Sequence, residues 1–97
     1  MEVRIQAIHF DATQRLVDFI NKKAERLVRH APDTTVIDVT LKVVKPETAM
    51  NKEAVVKLTM PQCSDMVANK VADTFEEAID LCLEAIERQL ERKKNQK

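Results

Sequence analysis

Between Ile37 and Met60 two runs of residues alternate apolar and polar at a period of two, with a loop between them. In the first, Ile37, Val39, Leu41 and Val43 alternate with Asp38, Thr40 and Lys42. In the second, Ala54, Val56, Leu58 and Met60 share one face and the run stops at Pro61. A period of two places each apolar set on one side of a strand, so the pair is expected to form a hairpin with one side buried. The loop spans Lys45 to Lys52, around Pro46 and Asn51.

The flanking segments supply partners for that hairpin. Glu2 to Ile8 alternates Val3, Ile5 and Ala7 against Arg4 and Gln6, which predicts a first strand. From Thr13 to His30, Leu16, Phe19, Ile20, Ala24, Leu27 and Val28 recur at spacings of three and four, the stripe of an amphipathic helix. Asp11 or Thr13 is placed to cap it, and Pro32 ends it. Met66 to Val71 predicts a fourth strand, although apolar residues on both faces leave its register open. Asp73 opens a last helix with an inner stripe of Phe75, Ile79, Cys82, Ile86 and Leu90, and a charged tail follows. The expected fold is α+β, in the order β-α-β-β-β-α, as a four-stranded sheet with both helices packed on one face. One domain is expected over residues 1–97, with a basic C-terminal tail from about residue 91. The chain contains no glycine, so tight turns are expected to use Asn, Asp or longer loops.

Several functional classes lack the residues they need. Two cysteines are too few for a disulfide framework, no run resembles a signal peptide, and none approaches the roughly 20 apolar residues of a membrane span. A cytoplasmic protein without a membrane partner is expected. His9, His30, Cys63 and Cys82 lack the paired spacing of a metal site, and a chain without glycine has no glycine-rich phosphate loop. No nucleophile and base stand at a recognisable spacing, so no enzyme, cofactor, metal or small-molecule substrate is expected.

Charge is segregated within a neutral total: 16 Lys and Arg balance 16 Asp and Glu. Residues 13–30 carry +3, residues 71–87 carry −6 and residues 88–97 carry +4. At 100° per residue, Arg15, Lys22, Arg26 and Arg29 fall on one flank of the first helix. Lys23 falls within the apolar stripe, where its stem should be buried and its ammonium brought out at the edge. In the last helix Arg88 and Arg92 lie one turn apart, followed by Lys93, Lys94 and Lys97, and two helices side by side would pool these charges. Several cations on one side suit a polyanion, because phosphate contacts add through counterion release. The only aromatic residues are three phenylalanines, which supply base stacking poorly, so recognition of folded RNA by shape and backbone is expected. A double-stranded RNA binder, or a protein-interaction module using Glu76, Asp80 and Glu84, fits the same residues.

The element order, the segment DTFEEAID at Asp73 to Asp80 and the run ERQLERKK at Glu87 to Lys94 resemble the ribosome hibernation promoting factor and ribosome-associated inhibitor family. The resemblance covers nearly the whole chain. It implies a protein that sits between the head and body of the small ribosomal subunit, on 16S rRNA. There it would occupy the path of messenger and transfer RNA and silence ribosomes in stationary phase or stress. It further implies rRNA-binding roles for Lys23 and Arg26, for Lys45, and for Arg88, Gln89, Arg92 and Lys94. Together with Lys22, Arg29 and Lys93 from the charge pattern, these are the expected site residues. Phe75 stands where many members carry tyrosine. The sequence ends at Lys97, and a resemblance to the short form, without the C-terminal dimerisation domain of the long form, is expected; a monomer is expected when free.

Overall fold

The computed structural model describes residues 2–44, 49–61 and 65–95, with side chains to Arg92. Its elements follow the expected order: β1 (Glu2–Ile8), α1 (Gln14–Val28), β2 (Val36–Val43), β3 (Lys52–Thr59), β4 (Met66–Ala72) and α2 (Phe75–Asn95). The four strands form one sheet in the order β1-β2-β3-β4. β1 and β2 run parallel, so the chain must cross over between them, and α1 is the crossover. The other two pairings are antiparallel, and β2 and β3 form the hairpin expected from their alternation.

Alternation also sets the packed face. Val3, Ile37, Leu58 and Met66 form one cross-strand row, and Ile5, Val39, Val56 and Ala68 form the next. These rows join one core cluster with Leu16, Ile20, Ala24 and Leu27 of α1 and with Ala78, Ile79, Cys82, Leu83, Ile86 and Leu90 of α2. Both helices therefore cover the same face of the sheet. The small residues Ala54, Ala68 and Ala72 bring α2 close to β3 and β4, and the Cys82 thiol donates to Ala54 O at 3.2 Å.

The pairing of Met66 with Leu58 and Ala68 with Val56 fixes the register that the sequence left open. The ambiguity came from Val67 and Val71, which point to the uncovered face, and from Lys70, which shares the inward parity of Met66 and Ala68 yet is exposed. β4 is an edge strand, and an inward charge on an edge opposes pairing with other chains.

One local boundary is corrected. The last helix opens at Phe75, not at Asp73, with Thr74 as its cap: the Thr74 hydroxyl accepts the Glu77 N–H at 3.1 Å, and Glu76 and Glu77 occupy the first turn, where the helix dipole favours carboxylates. His9 (φ 64°) and Met50 (φ 56°) take left-handed conformations within the longer β1–α1 and β2–β3 connections, where a chain without glycine turns. At the first helix, Thr13 is the cap, accepting from Leu16 N at 3.2 Å, and the helix ends at Val28, two residues before His30. Phe10 stacks on Phe75 with ring centroids 4.9 Å apart, joining the β1–α1 connection to the start of α2.

Candidate nucleic-acid interface

The rotation of α1 about its axis is set by Leu16, Ile20, Ala24 and Leu27, which are buried. That rotation leaves Lys22, Lys23, Arg26 and Arg29 lining one shallow depression, with Glu25 among them. Four of the expected site residues are thus brought together on a single helix. Lys23 behaves as its position in the apolar stripe requires: its side chain is 28% exposed, its ammonium lies 5.3 Å from the Phe19 ring centroid, and it reaches Asp80 Oδ1 at 3.2 Å.

That ion pair crosses to α2. Lys23 and Arg26 share a cleft of about 280 Å³ with Asp80, Leu83, Glu84 and Glu87. A smaller cleft of about 110 Å³, lined by His30, Glu87, Leu90 and Glu91, lies between α2 and the residues that follow α1. The wall of α2 that faces the basic residues of α1 is therefore acidic. The sequence carried the signal, since Asp80, Glu84, Glu87 and Glu91 recur at four, three and four beside Leu83 and Leu90.

The other flank of α2 turns toward the sheet edge. Gln89 Nε2 donates to Val67 O of β4 at 3.2 Å, so this expected RNA contact is engaged with the protein's own backbone. At 100° per residue, Arg88 and Arg92 fall between the acidic wall and Gln89, and both are exposed. The expected pooling of the two basic sets is not what the packing produces, because the inner stripe of α2 rotates its carboxylates, not its arginines, toward α1. Backbone helix continues through Lys93 and Lys94 to Asn95. The side chains of Lys93 and Lys94, and the whole of Lys45, lie outside the described residues, as does Cys63.

Cys82 takes no part in this surface. Its buried thiol is pushed up from 9.0 to about 11, chiefly by desolvation, which keeps it protonated and unreactive. Among the described residues no three His, Cys, Asp or Glu side chains converge as a metal site. No described helix is long and apolar enough to cross a membrane.

Comparisons with known proteins agree with the fold. A ribosomal subunit interface protein from Coxiella burnetii superposes with a TM-score of 0.84 at 20% identity, over 97% of this chain and 98% of that one. The N-terminal domain of Thermus thermophilus Protein Y superposes with a TM-score of 0.77, also at 20% identity, over 95% and 98% of the two chains. At that identity the likeness establishes the fold alone. No curated protein sequence matches the chain. Residues 3–97, however, match the family model described as sigma 54 modulation protein / S30EA ribosomal protein, and the chain belongs to that family.

Proposed function

We propose that the chain is a ribosome-associated inhibitor of translation, which binds the small ribosomal subunit on 16S rRNA in the path of messenger and transfer RNA. By occupying that path it silences the ribosome in stationary phase or stress. The observation that carries this reading is the gathering of Lys22, Lys23, Arg26 and Arg29 on one depression of α1, in a member of a ribosomal-protein family whose net charge is zero. With no net charge to attract RNA at long range, binding depends on local geometry, in which several cations meet several phosphates and release their counterions. Arg88 and Arg92 make a second set of phosphate contacts from the far flank of α2. The two structural neighbours, one of them a ribosomal subunit interface protein, support the same reading.

Inhibition of this kind is steric and needs no catalytic group. The chain acts in the cytoplasm, as a monomer when free, and takes no cofactor. The test is a reconstituted translation reaction with purified ribosomes. Added before messenger and initiator transfer RNA, the chain should abolish peptide synthesis at stoichiometric amounts; added after initiation, it should act far more weakly. Equal inhibition in both orders, or none in either, contradicts occlusion of the RNA path.

A further inference from the structure

The cleft between the helices has a cationic wall on α1 and an anionic wall on α2, and the two are in contact through Lys23 and Asp80 at 3.2 Å. We infer that Asp80, Glu84 and Glu87 are specificity determinants: they hold the α1 cations in check, so that generic RNA is bound weakly and only a shaped RNA surface engages them. The inference rests on the reading that the α1 cations meet RNA phosphates, and it names what limits which RNA they meet.

Three observations combine. Asp80 lies 3.2 Å from Lys23, and Glu84 and Glu87 line the same cleft as Lys23 and Arg26, while charges act over roughly 10 Å at 0.1 M salt. A phosphate approaching Lys23 must displace Asp80 and then sit beside like charge, so each contact on this wall gains less than an isolated lysine would. The acidic wall also separates the α1 cations from Arg88 and Arg92, which lie farther round α2. A regular duplex laid across both basic sets would run its phosphates over Glu84 and Glu87. An RNA surface that presents phosphates on either side of a gap would avoid that repulsion. Selection therefore comes from a repulsive element placed between two attractive ones. The neutral total charge belongs to the same arrangement, since residues 71–87 carry −6 between basic segments carrying +3 and +4.

The experiment uses the full chain and two RNA probes, a plain duplex of mixed sequence and the purified small subunit. The variants are Asp80→Asn/Glu84→Gln/Glu87→Gln and, with the Lys23–Asp80 pair intact, Glu84→Gln/Glu87→Gln. Relief of repulsion at one or two phosphate contacts should steepen the salt dependence of duplex binding and tighten it about tenfold at 0.1 M salt in the triple variant. The double variant should shift the same way by a smaller factor. Small-subunit affinity should rise less, so that discrimination falls. Duplex affinity unchanged in both variants, with thermal unfolding confirming that they fold, overturns the inference whether or not the wild type binds ribosomes. Absence of wild-type binding to the small subunit contradicts the proposed function instead, while the duplex arm still decides this one.

Discussion

Asp73 Oδ1 accepts the backbone N–H of Met50 at 2.8 Å, tying the start of α2 to the β2–β3 connection at a residue with φ 56°. A left-handed methionine is disfavoured by contact of its Cβ with the carbonyl oxygen, and this bond helps to hold it. Asp73→Ala should destabilise the fold by about 1 to 2 kcal/mol, whereas Asp73→Asn, which keeps an acceptor oxygen, should lose less than half of that. Urea unfolding of the two variants, followed by circular dichroism, checks the difference.

The core makes a sharper contrast. Ile20 on α1 is 1% exposed and Val67 on the outer face of β4 is 49% exposed. Ile20→Ala should cost about 2 to 5 kcal/mol, and Val67→Thr should stay within about 0.5 kcal/mol of wild type. Comparable losses at the two positions in denaturant unfolding would contradict the assignment of the sheet faces.

The contrast also shows what could be read before folding. Ile37, Val39, Leu41, Ala54, Val56 and Leu58 alternate so strictly that strand, hairpin and buried face were legible from those residues alone. β4 was not, because its outer face carries Val67 and Val71 and its inner parity includes Lys70. Its register depends on pairing with β3, a long-range relation that no local period encodes. At the interface, the basic row of α1 was legible as a helical flank. The acidic row of Asp80, Glu84, Glu87 and Glu91 was legible as a helical face too, but its placement opposite the α1 cations was not, since that depends on how α2 packs against α1. Gln89 illustrates the same limit: its bond to Val67 O joins residues 22 apart in the chain.

Lys23 separates stability from binding. The Lys23–Asp80 pair is partly exposed, with side-chain accessibilities of 28% and 49%, so its net contribution to stability is only about 0 to 1 kcal/mol. Lys23→Met keeps the apolar stem against Phe19 and removes the charge, so it should leave the melting temperature nearly unchanged while weakening RNA binding. Filter binding to small subunits beside a thermal melt measures both.

Cys82 predicts a pH response. Its folded-state value, raised to about 11 by burial, stands above the ordinary thiol value of 9.0 that applies to the unfolded chain. The stability linked to this thiol is therefore fully present below about pH 9 and is lost as pH rises toward 11, because the unfolded state releases the proton first. In a Cys63→Ser background, a thiol reagent at pH 8 should label the native chain only as fast as it opens, and Cys82→Ala should flatten the decline in stability above pH 9. Rapid native labelling would contradict the burial of Cys82 against β3.

The most direct test of the central claim is cosedimentation of the purified chain with small ribosomal subunits across a salt series, beside Lys22→Glu/Arg26→Glu/Arg29→Glu and Arg88→Glu/Arg92→Glu. The account predicts saturable wild-type binding that weakens with salt. The α1 variant should lose it almost completely, and any residual binding should have a log–log salt slope shallower by about 2 to 3, as expected for three lost phosphate contacts. The α2 variant should be weakened less. No wild-type binding, or binding indifferent to both salt and the α1 charges, would contradict it.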